Sequence, residues 1–233
     1  SLMVAKSLRP DQVDDERALR ELAEEAAILA ELSHPVIVRG FGAVLDGPHP
    51  HLLIEHLEGP TLRALIKKGG PLPLVQVLPL AAHVAAALHY MAGAGWVHLD
   101  VKPDNIVMGV PPRLIDLSVA HTIDRAARLR GAVGTDPYMA PEQCNPRNHP
   151  DRVGPPTDVF GLGATLQHAV SGSRPFPRDT GARDAEDITV RFPQLVNEPE
   201  PIGKDVPAPL VELIRAMLAP RAAQCRNARL RSV

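Results

Sequence analysis

The sequence of 233 residues has little cysteine, few aromatic side chains and no marked excess of either charge. Its two cysteines, Cys144 and Cys225, lie in no metal-binding or redox motif, which is typical of a reducing compartment such as the cytoplasm. The net charge of −2 excludes a general electrostatic affinity for nucleic acid or acidic membranes. We expect no membrane segment in this chain, because no apolar run reaches spanning length and no signal peptide opens it.

The remaining composition is that of a globular protein with a substantial core. Apolar residues make up 45% of the chain and charged residues 22%, so one large domain or two smaller lobes can form. Proline is frequent, with 25 residues, and many lie in the second half of the chain. This favours a helix-rich fold with long, ordered connections.

Strand and helix patterns alternate at the start, and helices dominate afterwards. The change falls near Glu55–Gly59 and predicts two unequal lobes, residues 1–58 and 59–233. A long irregular segment is expected from Ser118 to about Pro156. Strands are predicted at residues 2–8, 33–47, 51–59 and 113–117, and helices at 14–32, 61–70, 74–95, 157–170 and 207–220. Asp14 or Asp15 is expected to cap the first helix and Thr61 the second. The third helix is expected to be buried, with Pro79 kinking or delaying its first turn.

The first predicted helix carries one acidic residue where none is expected. At about 100° per residue, its leucines and Ala26 form one apolar face, and Glu25 falls within that face. A buried carboxylate is costly without a partner, so Glu25 either pairs with a cation or extends its carboxylate to solvent. Periodicity by itself leaves both alternatives open.

Three motifs follow one another in the middle of the chain: HLDVKPDNIV at residues 98–107, LIDLS at 114–118 and GTDPYMAPEQ at 134–143. Together they resemble the catalytic domain of bacterial, eukaryotic-like (Hanks-type) serine/threonine protein kinases, over nearly the whole chain. The resemblance implies an α+β, bilobal fold with a truncated, small, β-rich N-lobe and a larger, mainly helical C-lobe. It also implies transfer of the γ-phosphate of ATP to serine or threonine of protein substrates, with Mg²⁺ or Mn²⁺.

The resemblance gives each polar residue of these motifs a role. Asp100 would accept the proton of the acceptor hydroxyl, and Lys102 would neutralise charge on the transferred phosphate. Asn105 and Asp116 would supply oxygen ligands to the metal ion. Thr135 would lie near the catalytic aspartate and lysine. Lys102 also favours the serine/threonine class over the tyrosine class.

By the same resemblance, residues that precede the motifs would bind the nucleotide. Lys6 would hold the α- and β-phosphates with Glu25 as its partner, which would explain the acidic residue on the apolar face. Ile54 would lie at the back of the adenine pocket. Glu55 and Leu57 would belong to the backbone segment that hydrogen-bonds adenine.

Two further acidic residues match structural roles in the family. Asp158 resembles the aspartate at a helix start that holds the backbone of the catalytic loop, although Thr157 or Asp158 is also expected to cap that helix. Glu142 would pair with an arginine late in the chain, for which Arg226 is the best candidate.

The sequence departs from the family pattern at both ends of the nucleotide site. The glycine-rich strand–turn–strand that should precede Lys6 is absent, so the chain would be either a fragment or N-terminally minimal, and ATP binding should be weak in this form. The metal-binding DFG motif reads Asp116-Leu117-Ser118. Leu117 is expected to fill the phenylalanine socket, and Ser118 to restrict the backbone that glycine would leave free.

A third departure concerns regulation. Leu99 replaces the arginine of the HRD motif that normally receives a phosphate on the activation segment. Residues 123–134, where bacterial relatives carry phosphorylated threonines, contain no serine or threonine. Because the phosphate receptor and the phosphate site are missing together, we expect no control by activation-segment phosphorylation.

Other functions compete with that of a protein kinase. A pseudokinase or scaffold with weak or no nucleotide turnover fits the missing glycine-rich loop but not the intact set of catalytic residues. A small-molecule kinase of the aminoglycoside-phosphotransferase kind would lack the KP and GTxxYMAPE elements. The parent protein could be fused to, or associate with, a sensor domain, and could be membrane-anchored. His49, His51 and His56 lack acidic or cysteine partners at ligand spacing, so a zinc site is not expected.

Overall fold

A computed structural model describes residues 2–13, 15–149, 151–177, 181–182 and 185–219. Asp14, Cys225 and Arg226, which the sequence singled out, lie outside the described residues. The described chain forms a small antiparallel sheet with one helix, followed by a mainly helical region. This confirms the α+β class expected from the sequence.

The N-terminal region consists of β1 (Met3–Ser7), α1 (Glu16–Glu31), β2 (Gly40–Val44) and β3 (His51–Glu55). The strands are antiparallel in the order β1–β3–β2. The prediction of a strand from residue 33 was wrong for residues 33–39. Their apolar run, Val36 to Val38, is buried, but its backbone bonds across to Leu114 rather than along a sheet strand. A buried irregular segment therefore has the same apolar pattern as a strand.

Helix α1 forms as the sequence predicts, and its apolar face is buried. Asp15 caps it, since the side chain accepts the backbone N–H of Arg17 at 2.8 Å. Glu25 is only 3% exposed, together with Leu22 and Leu29 of the same face. The acidic residue on the apolar face is thus buried and does not extend to solvent.

The C-terminal region is built around three packed helices, with short strands and turns between them. Thr61 caps the first helix of the region, as predicted, by accepting the N–H of Ala64. The elements are α2 (Leu62–Gly69), α3 (Leu74–Gly93), β4 (Trp96–Val97), β5 (Ile106–Val107), β6 (Arg113–Leu114), β7 (His121–Thr122), α4 (Ile123–Ala126), α5 (Pro141–Cys144), α6 (Pro155–Ser171), α7 (Ile188–Arg191) and α8 (Ala208–Leu218). Helix α6 packs between α3 and α8.

The start of α6 differs from the prediction. Gly154 is its N-cap and prolines occupy its first positions, so Thr157 and Asp158 lie in the first turn and neither is the N-cap. Thr157 still contributes to the helix start, because its Oγ1 accepts the N–H of Gly154 at 3.2 Å. Thr157 donates to a Glu142 carboxylate oxygen at 2.8 Å, which connects α6 to α5.

Helix α3 is long and apolar enough to cross a membrane by length and composition, with a mean hydropathy of 1.4 in its most apolar window. Core helices of globular proteins pass the same test. One face of α3, including Val77, Leu80 and Met91, lies in the core, whereas Val75 on the opposite face is 76% exposed. The expectation of a buried helix holds for one face only. Pro79 lies within the helix and does not delay its start at Leu74.

His168 on α6 is buried between two hydrogen-bonding partners. A guanidinium nitrogen of Arg63 lies 3.1 Å from its Nε2, and the Tyr138 hydroxyl oxygen lies 2.7 Å from its Nδ1. Since a guanidinium group only donates, Nε2 must accept and the ring must be neutral. Burial, with the charges of Arg63 and Arg174, lowers the pKa of His168 to about 4.

We therefore expect acid to destabilise the fold through His168. An unfolded histidine takes up a proton below about pH 6.5, whereas the folded one remains neutral until about pH 4, so the unfolded state binds more protons in this window. The free energy of unfolding should fall by about 2 kcal/mol from this residue between about pH 7.5 and about pH 5. Urea denaturation measures the loss. His168→Gln should lack this part of the pH dependence, and equal losses in both proteins would contradict the assignment.

Candidate active site

The catalytic loop, residues 98–105, joins β4 to β5, and hydrogen bonds to a residue of α6 hold its backbone in place. The buried carboxylate of Asp158 accepts the backbone N–H groups of His98 and Leu99, each at 2.8 Å. Leu99 has a φ of +66°, a conformation that costs a non-glycine residue about 1 kcal/mol or more. Gly161 of α6 lets the loop approach, because a Cβ there would lie 3.2 Å from the carbonyl oxygen of Val101. The loop is therefore held in a strained conformation by close backbone contacts.

Four of the predicted site residues meet within this loop and the segment that faces it. Lys102 Nζ lies 2.6 Å from Asp100 Oδ2 and 2.6 Å from Thr135 Oγ1. Asn105 donates to Asp100 Oδ2 at 3.0 Å. Asp100 Oδ1 is buried and receives no hydrogen bond within the described part of the chain. The carboxylate thus has one oxygen held by two neighbouring side chains and one buried oxygen without a donor in the described part of the chain.

Three more predicted residues form a second charged cluster. Lys6 Nζ on β1 lies 2.7 Å from Glu25 Oε2 on α1 and 2.7 Å from Asp116 Oδ1. The backbone N–H of Leu117 donates to Glu25 Oε1 at 3.3 Å, and the Leu117 side chain is fully buried in the main core. A single lysine therefore connects the sheet, α1 and the segment at residues 114–118.

The charges of this cluster are set by burial and by mutual attraction. Burial alone would lower the pKa of Lys6, but Glu25 and Asp116 outweigh it and the net shift is upward, so the ammonium persists. Burial raises the pKa of Glu25 above its ordinary value, against the pull of Lys6. Burial also opposes ionisation of Asp116, yet Lys6 holds its pKa below the ordinary value. Asp116 is consequently a carboxylate at neutral pH.

A cavity of about 320 Å³ lies between the sheet and the catalytic loop. Its apolar wall suits a flat ring, and its polar end carries groups suited to phosphate and metal. The predicted residues Ile54, Glu55 and Leu57 all line it. The apolar wall includes Val4, Val38, Ile54, Leu57, Val107 and Ile115, and the polar end includes Lys6, Glu25, Asn105 and Asp116.

The side chain of Glu55 is bonded to other groups of the protein. Its Oε1 accepts the backbone N–H of Arg39 at 2.7 Å and forms an ion pair with the guanidinium of Arg113. Its own N–H is bonded to the Arg39 carbonyl oxygen at 2.9 Å. Neither the Glu55 N–H nor its Oε1 is therefore left for a nucleotide. Sequence reasoning missed Arg113, since nothing in the motif LIDLS indicates that the preceding residue reaches β3.

The donor set at the polar end of the cavity fits a metal ion that arrives with a nucleotide. No cluster of three or more histidine, cysteine, aspartate or glutamate side chains suited to a metal occurs among the described residues. Asn105 and Asp116 offer two hard oxygen ligands, and Mg²⁺ is commonly held by one or two carboxylates together with substrate phosphates.

The residue at the position of the missing arginine belongs to a small apolar cluster, here called the activation-segment cluster. Leu99 is 3% exposed in it, so no cationic side chain reaches this place from the catalytic loop. Thr122 nearby is exposed and caps α4 by accepting the N–H of Arg125 at 3.3 Å. The cluster consists of Val97, Leu99, Ala126 and Val153, with Val119, Ile123, Leu129 and Val133 packed against it.

A comparison with known protein families identifies the family to which this fold and site belong. The family profile described as "Protein kinase domain" matches residues 1–229. The chain belongs to the protein kinase family. The small β-rich N-lobe and helical C-lobe expected from the sequence are those of this kinase fold. Kinases of the family use ATP with a divalent metal ion.

Curated relatives of this kinase domain are mycobacterial serine/threonine-protein kinases. It is 31% identical to PknA of Mycobacterium tuberculosis over 225 residues, which cover 93% of this chain and 50% of the relative. It is 29% identical to PknB of Mycobacterium leprae over 208 residues, which cover 85% of this chain and 32% of the relative. The chain thus spans between a third and a half of the length of these relatives.

Proposed function

We propose that the chain is the catalytic domain of an ATP-dependent protein kinase that phosphorylates serine or threonine. One observation carries the proposal: Lys6 lies within hydrogen-bonding distance of both Glu25 and Asp116. The lysine–glutamate pair and the metal-binding aspartate must be in place together for a protein kinase to transfer phosphate. The similarity to kinases named serine/threonine-specific, and Lys102, support the substrate class.

The geometry suggests how the groups would share the reaction. The Asp100 carboxylate would accept the proton of the substrate hydroxyl, and Lys102, held by Thr135, would offset charge on the transferred phosphoryl group. Asn105 and Asp116 would hold Mg²⁺ or Mn²⁺, which when bound neutralises charge on the β- and γ-phosphates. Lys6 would hold the α- and β-phosphates. No covalent intermediate on the protein is needed.

The adenine would enter the apolar part of the cavity. Ile54 would lie behind the ring, and the backbone at Glu55 and Leu57 would hydrogen-bond its edge. The acceptors of the phosphate would be proteins, and the cytoplasm, which supplies ATP and Mg²⁺, is the compartment we propose.

The proposal is tested by transfer of label from γ-³²P-ATP, with Mg²⁺, to a protein mixture followed by phosphoamino-acid analysis. Label is expected on serine and threonine, and the Asp100→Asn protein, purified in the same way, controls for a contaminating kinase. Equal label from both proteins, or none from either, would instead indicate a module that binds partners without turnover.

We further propose that phosphorylation of the activation segment is not required. With Leu99 in the activation-segment cluster, the catalytic loop offers a phosphate on this segment an apolar side chain where the family has a guanidinium. Thr122→Ala should therefore retain transfer activity within about threefold, the residual effect being loss of a helix cap. Initial rates at saturating ATP measure this. Abolished activity in Thr122→Ala would show that a phosphate at this position is needed.

A further inference from the structure

Gln143 directly follows Glu142 of the APE motif. Both polar atoms of its side chain form hydrogen bonds inside the protein. It is 2% exposed. Its Nε2 donates to the carbonyl oxygens of Leu99 at 2.7 Å and Val133 at 2.6 Å, and its Oε1 accepts the N–H of Ala140 at 3.2 Å. One amide therefore joins the catalytic loop, the end of the activation segment and the start of α5.

The hydrogen bond from Gln143 to Leu99 constrains the residue that directly precedes Asp100, the proposed catalytic base. Leu99 has a positive φ, and its carbonyl belongs to the peptide group that leads into Asp100. Asp158 fixes the N–H side of Leu99, and Gln143 fixes the carbonyl side. With both peptide groups anchored, the strained conformation is maintained and the direction of the Asp100 side chain is set.

The hydrogen bond from Gln143 to Val133 constrains the end of the activation segment, which carries Thr135. Gly134, between them, has a φ of +123°, and a Cβ there would lie 2.6 Å from the Leu99 carbonyl oxygen and 2.8 Å from Gln143 Nε2. The activation segment thus lies directly against the catalytic loop at this point. Thr135, the next residue, contacts Lys102 at 2.6 Å.

Only a side chain with two donors and one acceptor at this reach satisfies all three backbone groups. A glutamine amide has that set, whereas a carboxylate has no donor and an apolar side chain has neither. Loss of the amide would leave the buried carbonyl oxygen of Leu99 and the partly buried one of Val133 without this donor, which is costly where water cannot replace it.

We propose that Gln143 is a positioning residue: its buried amide holds the activation segment on the catalytic loop and thereby orients Asp100 and Thr135 without a phosphate. The catalytic part of this proposal rests on the proposed kinase function. The structural part, the attachment of the segment's end at Val133 to the catalytic loop by the Gln143 amide, stands independently of turnover.

The test compares Gln143→Met with a matched variant, Gln167→Met. Gln167 on α6 is 1% exposed and donates to the Glu200 carbonyl oxygen at 2.7 Å, so the same change removes an amide hydrogen bond that does not involve the activation segment. Gln143→Met should lower kcat about 10- to 100-fold and raise the KM for protein substrate, with the KM for ATP within about twofold. Gln167→Met should keep kcat within about twofold. Equal kinetic effects of the two variants would overturn the proposal.

A readout without catalysis separates this proposal from the proposed function. Trypsin can cut after Arg125, Arg128 and Arg130 of the activation segment. Native-state cleavage there should be about tenfold faster in Gln143→Met than in wild type or Gln167→Met. If wild type transfers no phosphate, the proposed function fails and the trypsin comparison alone decides on Gln143.

Equal cleavage rates in the three proteins would contradict the proposal that Gln143 attaches the activation segment to the catalytic loop. Should Gln143→Met not fold, Gln143→Asn serves in its place, since a side chain one methylene shorter keeps the polar amide but cannot span both carbonyls. The same rise in cleavage is expected for it, and an unchanged rate would overturn the proposal.

Discussion

Replacing Asp100 with asparagine is expected to lower kcat for phosphate transfer by about a thousandfold, the range that loss of a general base produces. In the structure Asp100 Oδ2 is held by Lys102 and Asn105, while Oδ1 is buried and has no donor in the described part of the chain. An amide of the same shape cannot take the hydroxyl proton, and its NH₂ group would face the Lys102 ammonium or the incoming hydroxyl. Nucleotide affinity should change little, because no nucleotide contact is assigned to Asp100.

Single-turnover rates and the affinity for a fluorescent ATP analogue measure the two effects separately. Asp104→Asn is the matched control. It is the same chemical change in the same loop, but the Asp104 side chain is exposed, and activity should stay within about twofold. A loss of nucleotide binding in Asp100→Asn as large as the loss of kcat would contradict the role given to Asp100.

Replacing Lys6 with methionine is expected to lower transfer at least about a hundredfold and also to destabilise the protein. Glu25 is buried and would keep only the Leu117 N–H as a partner. Breaking a buried ion pair from one side costs about 3–5 kcal/mol, and less here because the Lys6 side chain is 37% exposed, so we expect about 2–3 kcal/mol. Since the unpaired Glu25 would then take up a proton on folding, the deficit should shrink as the pH falls.

A double variant separates the loss of phosphate transfer in Lys6→Met from its loss of stability. In Lys6→Met/Glu25→Leu no carboxylate is left buried, so most of the free energy of unfolding should return, whereas phosphate transfer should remain low. Urea denaturation and the label-transfer assay measure the two quantities on the same preparations. If the double variant were no more stable than Lys6→Met, Glu25 would not depend on Lys6 for its burial.

The two regulatory proposals give one consistent picture of the activation segment. Apolar packing of Leu99 and the amide of Gln143 attach the segment to the catalytic loop, and neither contact needs a phosphate. Control of the enzyme would then act elsewhere, through substrate encounter or through parts of a longer protein. Arg226, the sequence candidate for pairing with Glu142, lies outside the described residues, and the contact seen for Glu142 is with Thr157.

Local chemistry made part of this protein predictable from its sequence. The catalytic loop places Asp100, Lys102 and Asn105 within six residues, so their proximity follows from the chain itself. The 3.6-residue period placed Glu25 on the buried face of α1, and cap chemistry identified Thr61. These inferences succeed because they depend on neighbours a few residues apart.

Packing between distant segments decided the rest. The strand predicted at residues 33–39 proved to be a buried irregular segment. In the first turn of α6, Thr157 contacts α5 and Asp158 contacts the catalytic loop. Lys6 meets Asp116 across 110 positions of sequence. No periodicity encodes such distances, since they depend on how the sheet, α1 and the helices pack together. The sequence alone indicated which residues would do the proposed chemistry, and the tertiary structure decided which partner holds each of them, including Arg113 for Glu55 and Gln143 for Leu99.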